Sequence, residues 1–378
     1  MHHNKALPSL CMDDVMREFR MGKSSLHQPI HFAYGESSFD PFKQVDIGLA
    51  SIDSSRYRSY SGAMGLESLR EAVCRHYRKE FGYTLAPERV CITNGASEAL
   101  QIALAMFISP GDEVILPASY YPAYLPLALI CNAQCTFAPL NEKQCLDVEQ
   151  VSAVISPKTK AMIVNSPSNP HGAVLSQAEL TAVAALGIPV IFDEVYQALS
   201  LTDTPIPSAI TLSDQHIVVN SFSKSVAAAG LRIGYMIVPE SQIEQVHNIK
   251  IILNVCTNRL NQIIAERLLD HWPVLVSAHR TMLCKNWQLF RQVANDLGLT
   301  LRSDPQAGFF ATIDVSATKE SSKDVAMDLA RQYALSTVPG IDFQRTDNQF
   351  LRLSFAGATD EIEIGLKRLQ SYLNGRRS

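Results

Sequence analysis

The sequence predicts an α/β protein: a large domain built on a mostly parallel central sheet, with a smaller α+β domain. Three observations predict it. Short runs that are apolar on both faces alternate with helical patterns through the middle of the chain. Three of those runs end in a polar residue, Asn165, Asp193 or Ser221. After about Glu240 the texture changes to long helical stretches and isolated strands.

In order, the runs are Val90-Cys-Ile-Thr, Val114-Ile-Leu-Pro, Ala161-Met-Ile-Val-Asn, Pro189-Val-Ile-Phe-Asp, Ile217-Val-Val-Asn-Ser and Ile233-Gly-Tyr-Met-Ile-Val. Between them, Leu66 to Phe81 is amphipathic, Pro110-Gly-Asp112 is a turn, and Ser176-Gln-Ala-Glu179 is a capping box before a helix. Later come helical patterns through Ile263 to Leu269 and Ser277 to Leu297, the latter stopped by Gly298. The strands Phe309 to Val315 and Phe350 to Phe355, a helix near Asp324 to Tyr333 and a terminal helix complete the chain. The expected division is a large domain over residues 46–275 and a small one from 1–45 plus 276–378.

Composition bounds the function. The 378 residues are 47% hydrophobic and 19% charged, with a net charge of −4, so no basic footprint suggests nucleic acid. Met1 to Pro8 lacks the apolar core of a signal peptide, and no run approaches the roughly 18 residues of a membrane span. Eight cysteines without a Cys-x-x-Cys pair or a His cluster argue against a metal site. They read as buried free thiols, as in a reducing cytoplasm.

Lys224 carries the chemistry. It lies in Ser221-Phe-Ser-Lys-Ser, just beyond an apolar strand. An amine there can be desolvated and work as a nucleophile toward an aldehyde. Ser221, Ser223 and Arg232 can hold an anion beside it. Aldehyde plus phosphate describes pyridoxal phosphate (PLP). Asn94-Gly-Ala-Ser-Glu98 follows the first strand, where Gly95 permits a tight turn and the amides of Ala96 and Ser97 can face a phosphate. Asp193 at a strand end can keep a pyridine nitrogen protonated, or simply cap a helix. Tyr196 reads as a hydrogen-bond donor to the ring or as core. Asn169, held extended before Pro170, presents its side chain or makes an ordinary turn. Tyr121 can stack on a planar ring or pack in the core. Arg352, in an apolar strand, clamps a carboxylate or faces solvent.

Together these segments resemble the class I/II aminotransferases, PLP enzymes of fold type I. Ser-x-Ser-Lys with Arg eight residues after the Lys, Asn-Pro-x-Gly and Asp-Glu-x-Tyr occur in the family's order and spacing. The resemblance implies that Lys224 is the Schiff-base lysine and Asp193 the partner of the pyridine nitrogen. Asn169 and Tyr196 would meet the ring 3′-oxygen, and Tyr121 would stack on the ring. Gly95, Ala96, Ser97, Ser221 and Arg232 would hold the phosphate, joined by Tyr60 from a partner subunit in a homodimer. Arg352 would bind the substrate α-carboxylate beside Gly35. The substrates implied are an amino acid and a 2-oxo acid.

The chain departs from the family pattern at His171, where Thr is common. The stretch from Lys250 to Asn254 lacks the second arginine of the aspartate enzymes, leaving Lys250 or Arg259 as substitutes. A neutral, aromatic or basic donor is then as plausible as a dicarboxylate. A PLP-dependent carbon–sulfur β-lyase on the same fold is the alternative. A PLP-binding regulator would carry an added DNA-binding segment, whereas the family-like pattern begins near residue 30.

Overall fold

The computed structural model describes residues 7–21, 28–212, 214–344 and 346–376. Residues 1–6, most of the stretch read above for a signal peptide, lie outside that range.

Seven strands form one sheet: β1 (Val90–Thr93), β2 (Glu113–Pro117), β3 (Gln134–Ala138), β4 (Thr159–Asn165), β5 (Val190–Asp193), β6 (Ile217–Ser221) and β7 (Gly234–Ile237). Their spatial order is β1-β7-β6-β5-β4-β2-β3. Only β7 runs antiparallel to its neighbours. Six strands match the expected runs. The sequence reading did not include β3, because this edge strand is only half-buried and has no continuous apolar run. A sheet with covered faces explains why β1, β5, β6 and β7 are buried at every position.

The second unit has an antiparallel pair, β8 (Phe310–Asp314) and β9 (Phe350–Ser354), which shares one hydrophobic core with the helices Ser322–Tyr333 and Thr359–Arg376. The helix Trp272–Asp296 connects the two units. It starts five residues before the expected Ser277, and Pro273 sits in its first turn. Its early residues Trp272 and Leu275 belong to the core beneath the large sheet. Further along, Leu283, Trp287 and Phe290 belong to the core of the second unit. The capping box forms as expected: Glu179 N–H donates to Ser176 Oγ, and Ser176 N–H donates to the Glu179 carboxylate.

No helix among the described residues is long and apolar enough to cross a membrane. All eight cysteines are free, but only Cys91 is fully buried; the others are half-buried.

Candidate active site

The carboxyl ends of β4, β5 and β6 open into a cavity of about 440 Å³, closed on the far side by Arg352 and Phe310 of the second unit. Ligands of open α/β sheets sit at such strand ends. Gly35, Ala96, Ser97, Tyr121, Asn169, Asp193, Tyr196, Ser221, Ser223, Lys224, Arg232 and Arg352 all line it.

One end is a cup made largely of backbone. The helix Ala96–Phe107 starts at Gly95 with no side-chain cap, so its first amides stay available to an anion. Gly95 has φ 75, and a Cβ there would lie 2.6 Å from Arg232 Nη2. A Cβ on Gly234 would lie 2.7 Å from Ala96 N. Both glycines therefore let helix, strand and guanidinium close around one point. Arg232 takes a left-handed φ of 54, with Nη1 donating to the Ala229 carbonyl at 3.2 Å. The Ser221 and Ser223 hydroxyls lie 2.9 Å apart, Ser221 being the strand partner of Gly234.

Lys224 crosses the middle, its Nζ donating to the Gly35 carbonyl at 2.6 Å. A Cβ on Gly35 would come within 3.1 Å of that nitrogen. Burial lowers the affinity of Lys224 for its proton, bringing its pKa to about 8. The positive charges of Arg352 and Arg232 add to this, while Glu36 and Asp193 oppose it.

Asp193 forms the floor. Its Oδ2 accepts from the Tyr124 hydroxyl at 2.6 Å and its Oδ1 from Val195 N–H at 3.2 Å. Burial nonetheless pushes its carboxyl up to about 6. Asn165 Nδ2 donates to the Asp193 carbonyl at 3.0 Å, and Asn165 Oδ1 accepts from Asn169 N–H at 2.8 Å. Asn169 Nδ2 is then 3.5 Å from the Tyr196 hydroxyl.

Arg352 occupies the other end and is 5% exposed. Its guanidinium lies 4.0 Å from the Phe310 ring centroid and 5.3 Å from that of Phe343. Nη2 donates to the Ala33 carbonyl. Burial lowers its pKa to about 10.

Tyr60 lies outside the cavity and is 79% exposed; its carbonyl accepts from Arg259 Nη1 at 3.2 Å. Lys250, suggested above as a substitute for a substrate-binding arginine, is fully buried and bonded to Glu98. It does not line the cavity. His171 is buried, with Nε2 3.1 Å from Ser119 Oγ and Nδ1 3.4 Å from Thr312 Oγ1. Sequence reasoning missed Tyr124 and Phe310 as site residues. Tyr124 had one available signal, its place three residues after Tyr121 in the same aromatic segment, at the start of the next helix.

The chain matches the family model for aminotransferases of class I and II over residues 28–369. It is a member of that family. It is 30% identical to a valine–pyruvate aminotransferase of Mycobacterium tuberculosis, with 91% of each chain covered. It is 26% identical to an aspartate aminotransferase of Pyrococcus horikoshii, covering 96% of this chain and 95% of that one. A crystal structure of an aminotransferase from Mycobacterium tuberculosis superimposes with a TM-score of 0.91 at 26% identity, over 99% of both chains. The chain is thus a PLP-dependent aminotransferase, acting on an amino acid and a 2-oxo acid. Its cavity fits that cofactor. Two of its lining residues each hold a buried polar atom without a protein partner, Asn169 Oδ1 and Arg352 Nε, and buried polar atoms are rarely left so. The cup offers uncapped amides where a phosphate needs donors.

Proposed function

We propose that this transaminase divides its cavity into a phosphate cup, a ring site and a carboxylate clamp, and works as a cytoplasmic homodimer. The observation that supports this most directly is Lys224, a partly desolvated amine between Asp193 and Arg352 with its pKa lowered to about 8. The domain division at residues 46–275 and 1–45 plus 276–378 accompanies this reading, with the Trp272–Asp296 helix as the link.

In this reading Ala96, Ser97, Ser221, Ser223 and Arg232 bind the cofactor phosphate; Gly95, whose own N–H donates to the Thr93 carbonyl at 2.9 Å, makes the turn that lets them converge. Asp193 carries negative charge under the ring nitrogen, Asn169 and Tyr196 donate to the ring oxygen, and Tyr121 covers a ring face. When bound, PLP supplies an electron sink for negative charge at the substrate Cα. Arg352 holds the substrate α-carboxylate beside Gly35, which orients the Cα–H toward Lys224. Lys224 Nζ then takes the proton from Cα as general base and later returns one as general acid. Each cation lining the cavity (Lys224, Arg232 and Arg352) has a role in that scheme. Among the described residues no further cation lines the cavity to take a second carboxylate, which favours a donor with a neutral or aromatic side chain over a dicarboxylate.

The test combines Lys224→Ala with Tyr60→Phe. The first is expected to lose nearly all turnover and the covalent fixation of PLP to the chain by borohydride. The second, impaired alone, should recover activity when mixed with the first, because some hybrids then hold one intact site. Turnover and borohydride fixation retained in Lys224→Ala would refute the lysine assignment. Full activity in a dilute, monomeric protein would refute the role of Tyr60 across an interface.

A further inference from the structure

A buried ion pair stands behind the phosphate cup. Lys250, on the helix Ile243–Asn254, is 0% exposed. Its Nζ donates to Glu98 Oε2 at 2.6 Å and to Thr257 Oγ1 at 2.9 Å. Glu98 is the third residue of the helix whose first amides form the cup. The same Oε2 accepts from Asn94 N–H at 2.6 Å and from Asn94 Nδ2 at 3.2 Å. Its other oxygen accepts from the Asn254 side-chain amide. Asn94 immediately precedes Gly95, so this carboxylate fixes the turn from which the free amides project.

Its charge works against an anion. A carboxylate in the first turn interacts favourably with the positive end of a helix and so competes with a phosphate for the same field. Lys250 cancels that charge. Breaking a buried pair by removing one partner leaves an uncompensated ion inside the protein. The pair also has a second anchor: Thr257 Oγ1 donates to the Ile92 carbonyl in β1 at 3.0 Å.

We propose that Glu98 and Lys250 are positioning residues for the cofactor phosphate. Glu98 holds the Asn94–Gly95 turn, and Lys250 keeps that carboxylate from repelling the phosphate. This rests on the reading that the Ala96 and Ser97 amides bind phosphate.

Equilibrium dialysis of the holoenzyme, read as the PLP dissociation constant, tests it alongside the thermal midpoint. Lys250→Met leaves a buried negative charge by the cup and should weaken PLP binding about tenfold or more. Glu98→Gln loses the same pair but leaves no negative charge, so it should weaken binding less, even where it lowers the thermal midpoint as much. The double variant Glu98→Gln/Lys250→Met should return to within about threefold of wild type, because the charges are removed together. Asn254→Ala, a smaller change, should weaken PLP by a few-fold and serves if Lys250→Met does not fold. Wild-type PLP affinity in Lys250→Met, or in Asn254→Ala where it stands in, would overturn the proposal. So would weaker binding in Glu98→Gln than in Lys250→Met, or affinity that simply tracks the thermal midpoint. If Arg232→Ala also leaves PLP affinity unchanged, the cup reading itself fails; if Arg232→Ala weakens it while Lys250→Met does not, only this inference fails.

Discussion

The two ends of the cavity both suit anions, and they are built differently. The cup relies on backbone: uncapped helix amides, two glycines that admit close approach, and a partly exposed Arg232. Many weak donors share the task, and each is cheap to keep solvated. The clamp relies on one guanidinium, buried between Phe310 and Phe343 with its Nε lacking a protein partner. A desolvated arginine binds a carboxylate strongly because little water competes for it. The same desolvation leaves it costly without a partner. The difference suits the tasks proposed for the two ends, since a cofactor stays while substrates with one shared carboxylate come and go.

Arg352→Ala against Arg232→Ala should break this comparison most sharply. Loss of one partner from a buried charged pair costs roughly 2–5 kcal/mol. Arg352→Ala is therefore expected to lower kcat/KM by some orders of magnitude for all donors and acceptors alike, with PLP affinity close to wild type. Arg232→Ala should do the reverse, weakening PLP binding while changing the KM for substrates little once the cofactor is saturating. Steady-state kinetics and PLP titration of both variants check this. A loss in Arg352→Ala confined to acidic donors would move that residue to the side-chain pocket.

The cup was more legible in the sequence than the clamp. Gly95, Ser97, Ser221 and Arg232 lie in short segments whose turns and hydroxyls point to phosphate without any tertiary knowledge. Asp193 and Asn165 showed themselves as polar residues ending buried strands. Arg352 was visible only as a charge in an apolar run. Its surroundings come from Phe310 in the neighbouring strand and from Phe343, neither marked by any local pattern. Tyr124 reads as one aromatic among several until folding brings its hydroxyl to a carboxylate 69 residues away. Lys250 was misread because its partner lies 152 residues away, and nothing local says that an amine in an amphipathic helix faces inward. Edge strand β3 escaped because half-buried strands lose the continuous apolar signal.

Between the two ends, Asp193 offers a test of moderate size that needs no substrate. Burial raises its carboxyl from an ordinary 3.8 to about 6. A raised value means that the folded state holds this proton better than the unfolded state. The stability it contributes is present below pH 3.8 and is lost as pH rises through about 6. A shift of that size corresponds to about 3 kcal/mol at neutral pH. Asp193→Asn escapes that loss, so its apoprotein should gain thermal stability relative to wild type as pH rises from 4 to 7. With PLP the order should invert, because the variant has no charge to place under the ring nitrogen. Scans of apo and loaded protein across that range decide the matter; parallel apo curves would mean that Asp193 is not desolvated as described.

The smallest effect is expected at His171, where the family commonly has Thr. Its ring links Ser119, two residues before Tyr121, to Thr312, which pairs with Arg352 across β8 and β9. The histidine thus braces the strand pair carrying Arg352 against the loop that carries Tyr121, the residue proposed to cover the ring, without bonding to either. His171→Thr leaves a shorter side chain that cannot span both hydroxyls. KM should rise by about threefold for every substrate, the size of one modest hydrogen bond lost, while PLP affinity stays unchanged. Stability carries a second signature. Burial lowers the His171 pKa to about 3, so the folded state resists protonating it. The stability it contributes is full above its ordinary 6.5 and fades as pH falls toward 3. The gap in thermal midpoint between wild type and His171→Thr should therefore narrow below pH 6.5. A gap that is constant with pH would mean that the ring is protonated in place, and a KM rise confined to one donor would make His171 part of side-chain selection instead of a brace for the clamp.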